Sequence, residues 1–368
     1  MGSQAYKYDE VRPRTKLFYT LMQTDSGEKI KTAYVGGGNG FIGHHLARRL
    51  KQDGYWVRVA DIKEYEYGGT DDFCDENVIV DLRNPDQIRA SLRLNEQKKY
   101  SYYPEPFEKL VQFDEVYLFA CQMGGALYVF TGENDSDIMH DSALINLNCL
   151  QELKDQYFKG KIFYSSSACV YPQELQDSTY NQGLKETDAW PANPDSCYGL
   201  EKLFSERLFL AYARNYGLNV RIARFHNIYG PEGTYQGGRE KAPAAMCRKV
   251  ITREGASIEV WGTGTQTRSF LYIDDCVDAV RLLMQSDFKE PINIGSEEMI
   301  SINGLAKMAI EFSGNYIEIK NVPSNAIGVQ GRNSDNTLIR KVLNWEPKYS
   351  LKEGLEKTFY WIKSQYGN

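Results

Sequence analysis

Tyr198 and Lys202 stand four residues apart in SCYGLEKLFSERLFLAYARNYG, where Leu200, Leu203, Phe204 and Leu208 mark a helix. That spacing puts phenol and ammonium on one helix face. A neighbouring positive charge lowers a tyrosine pKa from its usual value of about 10, so a phenolate reached near neutrality can accept a hydroxyl proton. Hydride transfer from an alcohol to a nicotinamide needs such a base. Taken alone, a Tyr-x-x-x-Lys pair is more often an exposed helix face. Upstream, SSSACVYP (165–172) packs three hydroxyls, a thiol and a tyrosine between a predicted strand and a proline. Composition leaves Cys169 with two meanings, a small buried residue closing a strand or a base whose thiolate needs a nearby cation.

A second constellation lies near the start. Gly37, Gly40 and Gly43, with Phe41 and Ile42 among them, follow the predicted strand TAYVGG and open the predicted helix GFIGHHLARRLKQDG. Glycines there let the turn tighten, so that N–H groups at a helix N-terminus meet a pyrophosphate. A glycine triplet alone also fits any tight strand-to-helix turn. Asp61, however, ends the strand YWVRVAD 21 residues after Gly40, where an acid grips a ribose diol and disfavours a 2′-phosphate. This favours NAD over NADP. Asp81, at the end of NVIVDL, can reach an adenine edge or simply cap its strand.

The elements that must position these groups alternate. Further strands are expected at 77–82, 113–120, 161–166 and 218–225, with helices between most of them. Such alternation implies α/β architecture, a Rossmann-type doubly wound parallel sheet. Beyond about residue 230 the rhythm loosens into glycine-rich loops, a strand IEVWG and helices near 275–285, 302–313 and 351–364, read as a smaller C-terminal α/β substrate-binding lobe. The expected division is an extension over 1–28, an NAD-binding domain over 29–230 with an insertion at 91–112, and a mainly C-terminal lobe over 231–368 with some chain crossing back.

The 368 residues carry a net charge of −6 and are 42% hydrophobic. Such a chain folds around a sizeable core and offers no general surface for nucleic acid or anionic membranes, so any basic site is local. Seven scattered cysteines without a CxxC point to a reducing compartment, the cytoplasm. Four histidines lack zinc-ligand spacing, so no metal is expected. Neither a signal core nor a membrane-length apolar run is visible.

On GGNGFIG, Asp61, DLR, SSSACVY and YGLEK, the chain resembles the extended short-chain dehydrogenase/reductases over about residues 30–360. The resemblance implies that Ser167 holds the reacting hydroxyl, Tyr198 is the base and Lys202 its ribose-binding partner. The implied reaction is reversible oxidation of a sugar-nucleotide hydroxyl, usually at C4. MGGALYVF, ETDAWPANP, RFHNIYGPEGTYQGGREKAPAAMCRK, WGTGTQTRSFLYIDD, INIGSEEMIS and GRNSDN are similar to family members that epimerise a GDP-hexose. They imply 3,5-epimerisation of GDP-mannose, with C4 oxidised, C5 and C3 inverted through enolates, and the hydride returned. A C4 ketone acidifies the protons on C3 and C5, and inversion needs a base on one ring face and an acid on the other. The resemblance gives these roles to Cys169 and Lys241. It assigns substrate contacts to Gly124, Gly125, Ser167, Asn227, Glu240, Lys241, Ala242, Lys249 and Arg268, places Gln266 and Thr267 in the substrate loop, and makes Arg332 a diphosphate clamp. Arg239, Arg248, Lys249, Arg268 and Arg332 supply the local positive charge that a nucleotide diphosphate demands. Relatives usually form homodimers.

The chain also departs from the family pattern. Gly36 stands where Thr is frequent, Gln122 where an acid commonly precedes Met-Gly-Gly, and Cys197 where Ala is usual. These departures surround the cofactor and hexose ends and keep open a GDP-sugar C4 dehydrogenase, for example of a GDP-heptose, or an epimerase of a single centre. A 4,6-dehydratase fits less well, because Ala168 and Cys169 occupy the place of its acidic pair. A dinucleotide-sensing protein without catalysis would be expected to lack Tyr198 or Lys202, and both are present.

Overall fold

TAYVG has no exposed residue, because its strand is covered on both faces of a parallel sheet. In the computed structural model, which describes residues 29–94, 112–324 and 328–367, this strand is β1 (Thr32–Gly36). It is followed by β2 (Trp56–Asp61), β3 (Glu76–Ile79), β4 (Glu115–Leu118), β5 (Lys161–Ser167) and β6 (Asn219–Phe225). With the strand Ile292–Ile294 they form one seven-stranded sheet in the order Ile292–Ile294, β6, β5, β4, β1, β2, β3, parallel throughout. The expected 1–28 extension and all but the edges of the expected 91–112 insertion lie outside the described residues.

Alternation along each strand builds two cores. Ala33, Val35, Val57 and Val59 face α1 (Phe41–Gln52), whose Leu46, Ala47 and Leu50 lie in the same cluster. Tyr34, Ala60, Val116 and Ile162 point the other way, towards α2 (Pro85–Leu92), α4 (Asp135–Asp155) and α5 (Cys197–Tyr216). A short α3 (Ala126–Phe130) precedes α4. The strand order reverses between β1 and β4, and that switch point opens a crevice at the carboxyl ends of the strands.

The second lobe contains α6 (Ala242–Ile251), α8 (Ile302–Ser313), the short α9 (Thr337–Leu343) and α10 (Leu351–Gln365); α6, α8 and α10 pack on one another, while α7 (Ile273–Gln285) returns to pack beside α1. Its small sheets pair Ser257–Trp261 with Glu318–Val322, and Thr267–Ser269 with both Met299–Ser301 and Gly331–Arg332.

Two differences from expectation stand out in the seven-stranded sheet. The third strand stops at Ile79 rather than residue 82, because the Asp81 N–H donates to Gln87 Oε1 (2.6 Å) and leaves the ladder. The three-residue strand Ile292–Ile294 was not anticipated as a strand, yet it extends the sheet by pairing with β6.

Candidate active site

The turn after β1 is built for close approach. Gly37 has φ 77°, and a Cβ there would lie 2.5 Å from the backbone nitrogen of Ala120 at the end of β4. A Cβ on Gly43 would lie 2.3 Å from Gly37 O. Gly40 caps α1 without any side-chain hydrogen bond, leaving the helix N–H groups facing the crevice. Asp61 accepts from Asn39 N (3.0 Å) and Lys63 N (3.2 Å), and burial pushes its carboxyl above the ordinary value. Asn39 Oδ1 is buried without a partner. An unpaired buried acceptor, a carboxylate and a glycine cradle together fit a dinucleotide. Asp81 also faces the crevice, but Arg83 engages its two oxygens at 2.9 and 2.8 Å and holds it below the ordinary carboxylate range. Arg83 bonds Asp141 (2.8 Å), and Asp141 accepts from Gln122 (3.1 Å).

The crevice continues between the lobes as a cleft of about 620 Å³. Tyr198 enters it from the first turn of α5, which is started by Ser196 Oγ accepting from Gly199 N at 3.2 Å. One turn on, the Lys202 ammonium donates to Ser165 O (3.0 Å) and lies 5.7 Å from the Tyr198 ring centroid. The expected lowering of the phenol pKa is reversed here. Burial pushes Tyr198 well up, Cys121, Cys169 and Glu201 add to the rise, and the hydrogen bond with Ser167 pulls down. Desolvation of the anion outweighs what helical spacing alone suggested.

Ser167 ends β5 and its Oγ accepts from Cys169 N (3.2 Å), starting a short 3₁₀ turn that aims the thiol into the cleft. Burial and Asp195 push the Cys169 thiol up, while Arg332 and Ser167 pull it down. Lys241 precedes α6 and its carbonyl accepts from Ala245 N (2.9 Å), while its ammonium has no hydrogen bond or ion pair among the described residues. Burial pulls its ammonium down, and Cys169 is foremost of the groups that pull it back. Both groups are thus pushed towards their uncharged forms.

Around the far end, the Arg239 guanidinium stacks 4.2 Å from the Tyr128 ring centroid, Lys249 donates to Glu259 O (2.7 Å) beside Trp261, and Glu240 pairs with Arg248 (2.8 Å). Arg268 is bonded to Thr267 O, and burial together with Arg332 lowers it to about 9. Gly124, Gly125, Asn227, Ala242 and Gln266 also line the cleft.

Nearly every residue singled out in the sequence thus meets in one place. Lys202 stands behind Tyr198. Thr267 does not line the cleft, since its hydroxyl turns away to Thr179 O (2.7 Å). Arg332 lines the cleft with its guanidinium bonded to Gln176, Cys169 and Asp195. Asn39, Cys121, Asp141, Gln176 and Asp195 were missed; Asn39 stands inside the quoted GGNGFIG string, and the other four carry no local motif. His44, His45 and Glu232 bring ligand-type atoms within 4.8 Å of one another. Those atoms are engaged: His44 and His45 bond Gly40 O and Pro231 O, and Glu232 receives Arg48 (3.1 Å) and Tyr65 (2.6 Å), which makes the group a latch between the lobes.

A family model described as the NAD dependent epimerase/dehydratase family matches residues 33–102 and 103–295. A GDP-mannose 3,5-epimerase of Arabidopsis thaliana is 45% identical over 338 residues, 92% of this chain and 83% of its own. UDP-glucuronic acid decarboxylase 5 of the same plant is 31% identical over 87% of this chain and 86% of its own. The solved UDP-glucose 4-epimerase of Thermotoga maritima has a TM-score of 0.77 at 24% identity, covering 91% of this chain and 99% of that one, a likeness of fold.

Proposed function

The chain belongs to the NAD-dependent epimerase/dehydratase family, and from that premise we propose that it inverts C3 and C5 of GDP-mannose with NAD as its resident cofactor. The observation that carries this reading is that Cys169 and Lys241 line the same cleft as Tyr198 and Ser167. A plain C4 oxidation needs only the latter pair; inversion beside a ketone needs a further proton donor and acceptor.

Gly37, Gly40, Gly43, Asn39 and Asp61 would hold the dinucleotide, with Asp61 at the adenosine ribose. NAD, when bound, takes up the C4 hydride and returns it. Ser167 orients the C4 hydroxyl and Tyr198 accepts its proton. Because burial holds the phenol protonated, this step requires a positive charge beside it, which Lys202 offers from the next turn and an oxidised nicotinamide would reinforce. With C4 oxidised, Cys169 withdraws the proton from the adjacent carbon and Lys241 supplies one to the opposite face. Burial favours the thiol and the amine at rest, so the step needs the Cys169 proton passed to Lys241, which leaves a thiolate as the base and an ammonium as the acid. Arg239, Arg248, Lys249 and Arg268 give the diphosphate its counter-charge in an acidic chain.

We place the enzyme in the cytoplasm as a homodimer. Leu147 on α4 and Leu200 and Phe204 on α5 are exposed and give one apolar helical face suited to a second copy. No helix among the described residues is long and apolar enough to cross a membrane.

The test is GDP-mannose incubated in deuterium oxide and read by NMR. Label at C3 and C5 with recovered hexose is the expected result. Accumulating NADH without label would overturn the reading in favour of a C4 dehydrogenase.

A further inference from the structure

Arg332 is buried beside the proposed base and held on three sides. Its NH1 lies 3.2 Å from Cys169 Sγ, its Nε donates to Gln176 Oε1 and its NH2 to Asp195 Oδ2. Gln176 is itself fixed, since its Nε2 donates to Tyr171 O and Pro172 O, both at 3.1 Å, which turns Oε1 to the arginine. The Asp195 side chain is only 2% exposed. Its other oxygen accepts from Ser196 Oγ at 2.8 Å, the hydroxyl that caps α5 two residues before Tyr198. A buried ion pair costs desolvation and is a poor source of stability. Its position between the thiol and the catalytic helix therefore calls for another explanation.

Resting on the reading of Cys169 as the proton-transferring thiol, we propose that Asp195 is a positioning residue that pins Arg332 against that thiol and sets the charge balance there, independently of Tyr198 and Lys202. The groups facing Cys169 are Asp195 and Arg332, Arg268 from Thr267–Ser269, Lys241 before α6, and Tyr198 from α5. Two guanidinium groups and an ammonium favour the thiolate, and one carboxylate opposes them. Arg332 supplies the contact, and Asp195 supplies both its orientation and the counter-charge that keeps the sulfur protonated until substrate enters.

Asp195→Asn keeps an oxygen for Arg332 and removes only the charge, so it tests this directly. The pH dependence of Cys169 alkylation by iodoacetamide, followed by mass spectrometry on the full-length protein, should move down by about one pH unit. That raises the rate about tenfold on the rising limb. Asp195→Glu, which restores the charge, should return the midpoint towards that of the unmodified protein. The thiol titration needs no sugar substrate, so it stands or falls apart from the assignment of GDP-mannose. With GDP-mannose, deuterium exchange in Asp195→Asn should follow the same shift while C4 oxidation keeps its pH profile. An unmoved alkylation midpoint in Asp195→Asn would overturn the proposal, as would C4 oxidation falling in step with exchange. If Asp195→Asn does not fold, the same midpoint measured in Asp195→Glu decides: a displacement as large as an order of magnitude in rate would mean that charge is not what matters.

Discussion

Gly125 and Glu240 lie back to back: a Cβ on Gly125 would stand 2.3 Å from the Glu240 carbonyl oxygen. This contact seats the Gly124–Gly125 turn against the segment that ends in Lys241, so the sugar floor and the proposed acid are positioned together. Gly125 has φ −73°, and its need for glycine is therefore space rather than conformation. Gly125→Ala should push residues 239–241 outward and lower C3 and C5 exchange by about tenfold or more, in line with the steep dependence of proton transfer on geometry. NAD affinity, measured by calorimetry, should stay unchanged because the glycine turn after β1 is not touched.

The two halves of the chemistry should separate by mutation. Tyr198→Phe removes the group that accepts the C4 proton, so ketone formation and every later step should fall by about 10²–10⁴-fold. Cys169→Ala should leave NAD binding and C4 oxidation intact and abolish label at C3 and C5. Single-turnover absorbance of the reduced nicotinamide, read beside NMR, distinguishes the two. Survival of exchange in Cys169→Ala would reduce the cysteine to packing.

Asp61 is predicted to govern the choice of dinucleotide. Its carboxylate is tied to Asn39 N and Lys63 N, and in the proposed binding mode it would repel a 2′-phosphate. Asp61→Ser should weaken NAD binding by about tenfold while narrowing the preference over NADP, as titration of intrinsic fluorescence would report. An undiminished preference would move the discrimination elsewhere, with Lys63 as the next residue to test.

Much of this was legible in the sequence because its signals are local. Hydrophobic runs, a glycine turn and the acid ending β2 fall within about thirty residues, and the i, i+4 pair on α5 reports a shared face without help from the rest of the chain. The strand Ile292–Ile294 was not, since three residues carry little periodicity and their partner β6 lies far upstream. Asp195 and Gln176 meet Arg332 across 137 and 156 residues, and no spacing rule reaches that far. The sequence could say that Arg332 is a cation in an acidic chain; it could not say that the cation touches a thiol. The phenol of Tyr198 was misjudged for a related reason, because helical spacing reveals a neighbour but not the loss of water around it.

The latch at Glu232 makes a prediction about stability. Glu232 has φ 60° and gathers His44, Arg48 and Tyr65 at 2.9, 3.1 and 2.6 Å, joining the start of α1 to the loop that follows β6. Its carboxyl is held far below the ordinary range: hydrogen bonds from His44 and Tyr65 and the charge of Arg48 outweigh desolvation. A depressed carboxyl contributes stability that is fully present above its unfolded value of about 4.3 and is lost as pH falls towards the folded value. Glu232→Gln should therefore lower the melting temperature by about 1–2 °C at pH 7, the shift expected for about 1 kcal/mol in a chain of this size. The unmodified protein and the variant should converge as pH falls below about 4, because protonation removes from the former what mutation removed from the latter. Calorimetric scans between pH 7 and pH 3 give the comparison directly. A gap that stays constant across that range would mean that Glu232 acts through shape rather than charge.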